Sequence, residues 1–471
     1  MPLIIGAKSA SATGYTVDNS YRINANSSYL SRTPGSEGNR AKWTFSAWFK
    51  GCAPAGQRDL INAFPSSSNE SRIYIIAGKF GSYNWVSDAT DGYYQTDALS
   101  RDPASWYHVV FSWDSDNAVA GDRIKMYING TEQTSFATET DPGSGTDSFI
   151  CDDTIHYIGR SGDPSADQAF YGYMAEVCLC DGQTYAASDF GEFDEDSPTI
   201  WKPKDVSELT FGTTGFYLDF EDSADLGADA SGNSNDFTAT SLDATDQATD
   251  TPTNNFATMN PLDNDDNPTT FSEGNNKLLW TATNKTNKST IGMTAGKWYA
   301  ECYAVDVNGG TSGTLIGVGT SACVPNTYLS SPVSGWGYRC QTGYIQNGAG
   351  NEAYGDTWTD DDIIGIAVDV DNGYVYMSKN GVWQDSGDPT SGASGTGAAN
   401  NQATYGAVLS GTQFFGCSAY DTDSLAWNFG GSPAFTVSSG NADANGYGNF
   451  EYAPPSGYLA LCTKNLGSDG G

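Results

Sequence analysis

Apolar and polar residues alternate along much of the chain with a period of two, which places successive side chains on opposite faces of a β-strand. In AKWTFSAWFKG this alternation puts Trp43, Phe45 and Ala47 on one face. Runs of similar length follow, among them WYHVVFSWD, RIKMYING and FYGYMAEVCLCDG. Short, evenly spaced strands of this kind predict a β-sandwich, because each strand must bury one face against a second sheet.

A second series of strand patterns occupies the C-terminal part of the chain, including GKWYAECYAVDV, IIGIAVDVDNGYVYMSKNGVW and SGYLALCTKNL. Asn129-Gly130 predicts a tight hairpin turn, because both turn positions need a positive φ. Asp371-Asn372-Gly373 and Asn380-Gly381 are interpreted as two further turns. The 55 glycines, 27 tyrosines and 12 tryptophans suit short strands joined by turns. We therefore predict an all-β fold of two antiparallel β-sandwich domains of the jelly-roll, lectin-like type, joined by a polar connector.

Changes in composition predict the domain boundaries. We expect an N-terminal attachment segment over residues 1–20, a first sandwich over 21–225 and a second sandwich over 276–471. Residues 226–275 are rich in Thr, Asn, Asp and Ala and poor in branched aliphatic residues, which is typical of a connector without a core of its own. Four apolar residues in it could still pack against a neighbouring domain: Phe237, Phe256, Met259 and Leu262.

The charge of the chain excludes several kinds of partner. There are 57 acidic and 22 basic residues, for a formal net charge of -35. Such a surface repels the phosphates of nucleic acids and the anionic surfaces of membranes. No apolar stretch approaches the ~18 residues of a membrane span, so we expect neither nucleic-acid binding nor membrane insertion.

The cysteine content and the N-terminal sequence indicate the cellular compartment in which the protein is synthesised. The nine cysteines are an odd number without CxxC spacing, which argues against zinc and against a disulfide scaffold. The start, MPLIIGAKSASATG, has neither a basic segment nor an apolar core long enough for a signal peptide. We therefore expect synthesis in a reducing cytoplasm.

The stretch DVDNGYVYMSKNGVW, residues 369–383, is a candidate calcium loop because acidic residues surround a glycine. A loop of the EF-hand type needs oxygen ligands at positions 1, 3 and 5 before its glycine at 6. With Gly373 at position 6, Val368 and Val370 fall at positions 1 and 3, so two ligands are missing. The pattern favours a β-hairpin. Structural calcium elsewhere stays open, and we expect no other cofactor.

Catalytic chemistry has one weak candidate. In EFDED, Glu192, Asp194 and Asp196 would line one strand face if extended, as the paired carboxylates of retaining glycosidases do, although the flanking Gly, Ser and Pro favour a solvated loop. His108 and His156 lie inside strand patterns and are expected to be packed rather than catalytic. We expect no enzyme activity; the alternative is a polysaccharide-cleaving glycoside hydrolase.

Aromatic residues in two glycine-containing segments are candidates for contact with a glycan or receptor, since Trp and Tyr faces stack on sugar rings. The segments are 84–94 and 335–344. Core packing is the competing interpretation, because aromatic residues usually fill a sandwich core. The candidates are Trp85, Tyr93, Tyr94, Trp336, Tyr338 and Tyr344.

Two family resemblances accompany these patterns. DDIIGIAVDVDNGYVYMSKNGVW, GKWYAECYAV and AWNFGGSPAFTV resemble successive parts of SPRY domains, including those of bacteriophage structural proteins. TFSAWFK, WYHVVFSWD, KMYINGT and FYGYMAEVCLCDGQ resemble concanavalin A-like, laminin-G-like sandwiches. GFYLDFEDSADLGADASGNSNDFTAT is similar to the continuation found in virion proteins of marine phages.

The resemblance implies a non-enzymatic structural protein on the exterior of a bacteriophage particle, as a tail-fibre-like appendage or a capsid decoration. It implies assembly in the host cytoplasm, a place on the virion surface, and adhesion to host-surface glycans. The expected partners are other virion proteins of the capsid or tail and further copies of the chain, for example in a trimer. A free lectin is a further alternative.

Overall fold

The computed structural model describes residues 14–52, 56–163, 166–264, 269–282, 284–310, 313–402, 409–419 and 422–468. These residues form two compact units that divide between Thr253 and Asn254, called here the N-terminal and C-terminal units. Most of the attachment segment predicted for residues 1–20 lies outside the described residues. No helix in the described part of the chain is long and apolar enough to cross a membrane.

The N-terminal unit contains two large antiparallel sheets. The back sheet has the order β10-β9-β8-β3-β13-β1-β18, with β16 also paired to β13, and the front sheet has the order β11-β7-β6-β5-β4-β12-β2-β17. A separate hairpin pairs β14 with β15. The strands are β1 (Ser20–Ile23), β2 (Tyr29–Arg32), β3 (Lys42–Gly51), β4 (Gln57–Ser66), β5 (Asn69–Ile76), β6 (Lys79–Val86), β7 (Ala89–Thr96), β8 (Tyr107–Asp114), β9 (Ile124–Ile128), β10 (Thr131–Glu132), β11 (Phe136–Thr140), β12 (His156–Ile158), β13 (Gly172–Asp181), β14 (Gly191–Phe193), β15 (Trp201–Pro203), β16 (Phe216–Leu218), β17 (Thr238–Thr240) and β18 (Gln247–Ala248).

Apolar side chains from the two sheets form the core of this unit. Trp43, Phe45 and Ala47 are all buried in it, which confirms the face predicted from their alternation. Burying each large side chain contributes about 1.5–3 kcal/mol. Asn129 and Gly130 have φ values of 46° and 76° in the turn between β9 and β10, so the predicted hairpin turn is confirmed.

Part of the segment predicted as a connector adds strands to this unit. β17 pairs with β2, and β18 pairs with β1. Beyond β18, the Asp250 carboxylate lies 2.7 Å from the Lys50 ammonium, and both side chains are buried. Phe237 packs into the same core. Residues up to Thr253 therefore belong structurally to the N-terminal unit.

The C-terminal unit also contains two sheets. One has the order β19-β20-β31-β22-β27-β28-β29, with β32 parallel to β22, and the other has the order β21-β30-β23-β24-β25-β26. The elements are β19 (Thr270–Ser272), β20 (Lys277–Leu279), β21 (Lys285–Lys288), β22 (Lys297–Asp306), β23 (Leu315–Gly319), β24 (Trp336–Arg339), β25 (Tyr344–Asn347), β26 (Gly350–Ala353), β27 (Ile363–Asp369), β28 (Tyr374–Lys379), β29 (Val382–Trp383), β30 (Phe414–Ala419), β31 (Ser424–Asn428), β32 (Leu459–Ala460) and α1 (Thr463–Ser468).

The candidate calcium loop is the turn between β27 and β28. Gly373 has a φ of 77°, as the turn requires. Asp369 accepts a hydrogen bond from the Asn372 amide nitrogen at 3.0 Å and pairs with Lys297 at 3.0 Å. Asp371 accepts a hydrogen bond from the Gly296 amide nitrogen at 2.8 Å. These carboxylates are used within the protein, and the hairpin prediction is confirmed.

All nine cysteines are buried thiols that form no disulfide. Burial raises the pKa of Cys52 to about 12 and that of Cys323 to about 11, because an apolar surrounding disfavours the thiolate. Since the thiolate is the reactive form, we expect the native protein to give no rapid reaction with Ellman's reagent. In denaturant all nine thiols should react. A rapidly reacting thiol in the native protein would contradict this prediction.

Candidate functional site

The candidate site lies on the outer face of the front sheet, across strands β5, β6 and β7. Alternate residues of these strands, including Ile73, Phe80 and Tyr94, point into the core. Because side chains alternate between faces, the residues between them point outward. The outward residues form what we call the aromatic platform and its polar base: Glu70, Arg72, Tyr74, Tyr83, Trp85 and Tyr93.

Strand register brings these side chains into rows across the sheet. Glu70 is opposite Trp85, and Arg72 is opposite Tyr83. Tyr83 is in turn opposite Tyr93 on the next strand. The rings of Tyr83 and Tyr93 meet edge to face with centroids 6.1 Å apart. Directly opposed side chains of this kind interact favourably, so the rings are held in a fixed arrangement.

A buried ion group forms the polar base beneath the platform. Arg72 pairs with Glu70 and, at 3.3 Å, with Asp59, while it donates a hydrogen bond to Gln168 at 2.7 Å. Its guanidinium also lies 4.9 Å from the centroid of the Tyr83 ring. Burial raises the pKa of Asp59 to about 6, although the charge of Arg72 opposes this shift. A buried, mutually bonded group of this kind holds its members in one geometry.

The base also orients the platform. The Tyr83 hydroxyl donates a hydrogen bond to Glu70. Burial, followed by the hydrogen bond and charge of Glu70, raises the pKa of Tyr83, while Arg72 opposes the rise, so the phenol stays protonated. Trp85 and Tyr93 are partly exposed on either side of Tyr83. Tyr83 and Tyr93 hold each other edge to face, and Trp85 adds a third partly exposed ring, which suits stacking against a flat, partly apolar ligand.

The structure separates the three aromatic candidates of segment 84–94. Trp85 and Tyr93 are on the outer face of strands rather than in a loop. Tyr94 points the other way, into the core, and donates a hydrogen bond to Asp141 at 2.5 Å. The physical reason is the period of two, because adjacent residues of a strand cannot share a face. Contact of Tyr94 with a glycan is therefore not supported.

In the C-terminal unit only Tyr344 of the three candidates is exposed, at 41%. Trp336 and Tyr338 are buried in the core, where they lie on β24 between β23 and β25, so the exposure expected from their flanking glycines is wrong. The glycines on either side of Trp336 allow neighbouring residues to pack directly against the backbone. A Cβ on Gly335 would lie 1.8 Å from the Leu329 carbonyl oxygen.

Sequence reasoning missed the charged residues of the base. Glu70 and Arg72 stand two residues apart in the strand NESRIYII, and Asp59 is on the neighbouring strand. The spacing of Glu70 and Arg72 indicates that both side chains lie on the same face of β5. A charged pair at that spacing normally faces solvent. Here it is covered, with Arg72 only 5% exposed, because Gln168 and the tyrosine rings lie over it.

The carboxylates of EFDED do not line a strand face. β14 ends at Phe193, and Lys202 lies 3.3 Å from Glu192 and 3.5 Å from Asp194. Asp194 is buried and accepts hydrogen bonds from the amide nitrogens of Asp196, at 3.0 Å, and Ser197, at 2.9 Å. The arrangement is an ion-paired turn, so the solvated-loop interpretation is correct for Asp196 and wrong for Asp194.

Both histidines are buried, as the strand patterns predicted. Burial lowers the pKa of His108 to about 3 and that of His156 to about 4, so both rings are neutral at physiological pH.

Among the described residues, Glu37, Asp152 and Asp153 place carboxylate oxygens within 4.8 Å of one another and are the group that could hold a cation. Arg40 already lies 3.5 Å from Asp152.

Two family models match the chain. Laminin_G_3, of the concanavalin A-like lectin/glucanases superfamily, matches residues 24–185, and the SPRY domain model matches residues 297–398. The chain carries a concanavalin A-like domain and a SPRY domain. The platform and its base lie within the concanavalin A-like domain, and Tyr344 lies within the SPRY domain. Both domains fit a binding or adhesion role.

Solved structures similar to parts of the chain include two SPRY domains and a pentraxin. The SPRY domain of human HERC1 is 17% identical with a TM-score of 0.26, over 32% of this chain and 87% of that chain. A heptameric SAP-like pentraxin from Limulus polyphemus is 14% identical with a TM-score of 0.25, over 35% of this chain and 76% of its own. A human SPRY domain is 12% identical with a TM-score of 0.25, over 34% and 94%. No curated protein matches the chain.

Proposed function

We propose that this protein is a non-enzymatic adhesion protein on the exterior of a bacteriophage particle, which binds host-surface glycans through the aromatic platform. The observation that carries the proposal is the group of Tyr83, Trp85 and Tyr93 on an outer sheet face, beside a buried ion group on the same face. The resemblance of both domains to phage structural proteins supports the location.

The platform suits a sugar better than a protein or nucleic-acid ligand. A sugar ring offers an apolar face to an aromatic ring and hydroxyl groups to nearby acceptors. The platform supplies the rings, while the buried Glu70 carboxylate acts on the ligand only indirectly, by orienting the Tyr83 ring. The net charge of -35 disfavours polyanions such as nucleic acids. Because the rings are already fixed, binding costs little conformational entropy.

The way the carboxylates are used supports binding without cleavage. A glycosidase needs two accessible carboxyl groups flanking the scissile bond. In the base, Asp59 is fully buried and both Asp59 and Glu70 pair with Arg72. In the hairpin, Glu192 and Asp194 share Lys202. In the Asp59–Glu70 pair both carboxylates are buried, and in the Glu192–Asp194 pair Asp194 is buried.

Alanine substitution on the platform tests the binding proposal. We expect Trp85→Ala and Tyr93→Ala each to weaken binding to host-envelope polysaccharide about tenfold, as loss of an aromatic contact residue typically does. Biolayer interferometry on immobilised polysaccharide would measure the change. Leu99→Ala is the control, because it removes an exposed apolar side chain of the same unit that is not part of the platform. Equal binding by the wild type and both platform variants would reject the platform as the site.

Two further measurements address location and cleavage. Mass spectrometry of purified phage particles should detect the chain as a virion component; its absence would contradict the location.

Incubation of the protein with host envelopes should release no soluble glycan. Release that is lost in Glu192→Gln or Asp194→Asn variants would instead favour the glycoside hydrolase.

A further inference from the structure

A second candidate site lies at the β14–β15 hairpin, away from the platform. A groove of ≈ 390 Å³ is lined there by side chains of the hairpin, strand β9 and residues 186–188. We call it the hairpin groove. The lining residues used below are Tyr127, Ser188, Glu192, Phe193, Trp201 and Lys204. Its volume falls in the range of pockets that bind small molecules.

Trp201 is fixed in place by a buried hydrogen-bond chain. Its indole nitrogen donates to Nδ1 of His108 at 3.0 Å, and Nε2 of His108 lies 2.9 Å from the Ser46 hydroxyl. The low pKa of His108, caused by burial, keeps the ring neutral and Nδ1 available as an acceptor. The orientation of the indole is therefore independent of pH over the physiological range.

Two glycines allow the indole to lie directly against the backbone. A Cβ on Gly130 would approach the Trp201 ring to 2.3 Å, and a Cβ on Gly191 would approach it to 2.6 Å. Gly130 also has a φ of 76°, which disfavours other residues. The position of Trp201 is thus set from two sides, and the aromatic wall of the groove is rigid.

Phe193 extends this wall into solvent. Its ring meets Trp201 edge to face, with centroids 4.9 Å apart, and 44% of the residue is exposed. Ile200, which is 36% exposed, accepts a backbone hydrogen bond from Asp194 in the same hairpin. Exposed apolar residues grouped beside a groove mark a contact surface more often than scattered ones do.

Hydrogen-bond donors and hydrogen-bond acceptors both face the hairpin groove. Among the described residues, the Tyr127 hydroxyl has no hydrogen-bond partner. The Glu192 carboxylate is half-exposed and pairs with Lys202 at 3.3 Å. Lys204 donates to the Ser188 carbonyl oxygen at 3.0 Å and retains further N–H groups. The groove therefore offers donors and acceptors without a net excess of either charge.

We propose that the hairpin groove is a second carbohydrate site, which takes one neutral hexose unit. Phe193 and Trp201 would contact the apolar face of the sugar, while Tyr127, Glu192 and Lys204 would bond its hydroxyl groups. A neutral polyol uses donors and acceptors equally, whereas an anionic ligand would meet Glu192. The proposal does not depend on the platform, because the two groups share no residue.

Saturation-transfer NMR with the intact protein tests this proposal. The probes are D-glucose, D-galactose, D-mannose and N-acetyl-D-glucosamine, each at millimolar concentration. We expect saturation transfer to at least one sugar in a Trp85→Ala/Tyr93→Ala variant, in which the platform is disabled. Phe193→Ala added to that variant should reduce the signal about fivefold. Tyr127→Phe, which removes only the hydroxyl, should reduce it less.

Leu99→Ala is the matched control, because Leu99 is equally exposed, at 42%, in the same unit but does not line the groove. It should leave the signal unchanged. Absence of transfer to all four sugars, or equal transfer with and without Phe193, would overturn the proposal. Loss of self-association in Phe193→Ala, measured by light scattering, without any sugar signal would also overturn it and identify the groove as a contact between copies.

Discussion

Replacing Asp250 with alanine is expected to destabilise the N-terminal unit by about 3–5 kcal/mol, the usual cost of leaving a buried charge without its partner. Asp250 lies 2.7 Å from the Lys50 ammonium, and neither side chain is exposed by more than 1%. It also accepts a hydrogen bond from the Trp106 indole at 3.0 Å. Thermal unfolding by calorimetry would measure the loss, and hydrogen exchange of peptides from β3 would assign it to this unit.

Two variants serve as controls for the Asp250 prediction. Asp116→Ala removes an exposed carboxylate in the same unit and should change the free energy of unfolding by less than about 0.5 kcal/mol. Lys50→Met combined with Asp250→Leu removes both charges and should recover most of the stability, since an apolar pair can replace a buried ion pair. Wild-type stability in Asp250→Ala would show that the ion pair does not join this segment to the sandwich.

Lowering the pH from 8 to 5 is expected to stabilise the C-terminal unit. In the N-terminal unit the contribution of Glu176 is opposed by His108 and His156, which stay neutral when buried but bind protons in the unfolded chain. Burial is the main cause that raises the pKa of Glu176 and of Glu301 from 4.5 to about 7 in the folded protein. Between these values the folded state holds a proton on each glutamate that the unfolded state releases, so the stability that each group contributes is fully present below pH 4.5 and is lost as the pH rises through 7. A shift from 4.5 to about 7 corresponds to about 3 kcal/mol for each group.

The two glutamates allow the units to be tested separately. Glu176, in the N-terminal unit, accepts hydrogen bonds from the hydroxyls of Tyr217 and Tyr15. Glu301, in the C-terminal unit, accepts them from the amide nitrogens of Tyr452 at 2.7 Å and Glu451 at 2.9 Å. Glu301→Gln should flatten the pH profile of the C-terminal unit alone. Glu176→Gln should change the profile of the N-terminal unit alone, making that unit less stable at pH 5 relative to pH 8, because only the opposing effect of the two histidines remains. Calorimetry in 0.5 M salt would screen the surface charges, and unchanged slopes in both variants would refute the assignment.

Much of the fold could be predicted because local rules govern it. The alternation in β3 correctly placed Trp43, Phe45 and Ala47 in the core. The Asn-Gly turns at 129–130 and 380–381 have the positive φ values that their residues suggested. Period and turn chemistry act over a few residues, so they can be read without knowledge of the rest of the chain.

The candidate site was less predictable, because exposure depends on what covers each face. Trp85 and Trp336 are both candidates for ligand contact in the sequence, yet one lies on an outer sheet face and the other in the core. Asp250 stands in a polar segment with no apolar period, and its role appears only when Lys50, 200 residues earlier, is placed beside it. Such contacts join distant parts of the chain and leave no local pattern.

The sequence by itself determined the class of fold, the two families it resembles, the hairpin turns and which residues of a strand share a face. Only the tertiary structure decided which face is outward, which carboxylates are paired with Arg72 and Lys202, and where the first unit ends. The physical reason is that side-chain periodicity is a property of one strand. Burial and ion pairing belong instead to the sheets and segments that pack against that strand, and these come from distant parts of the chain.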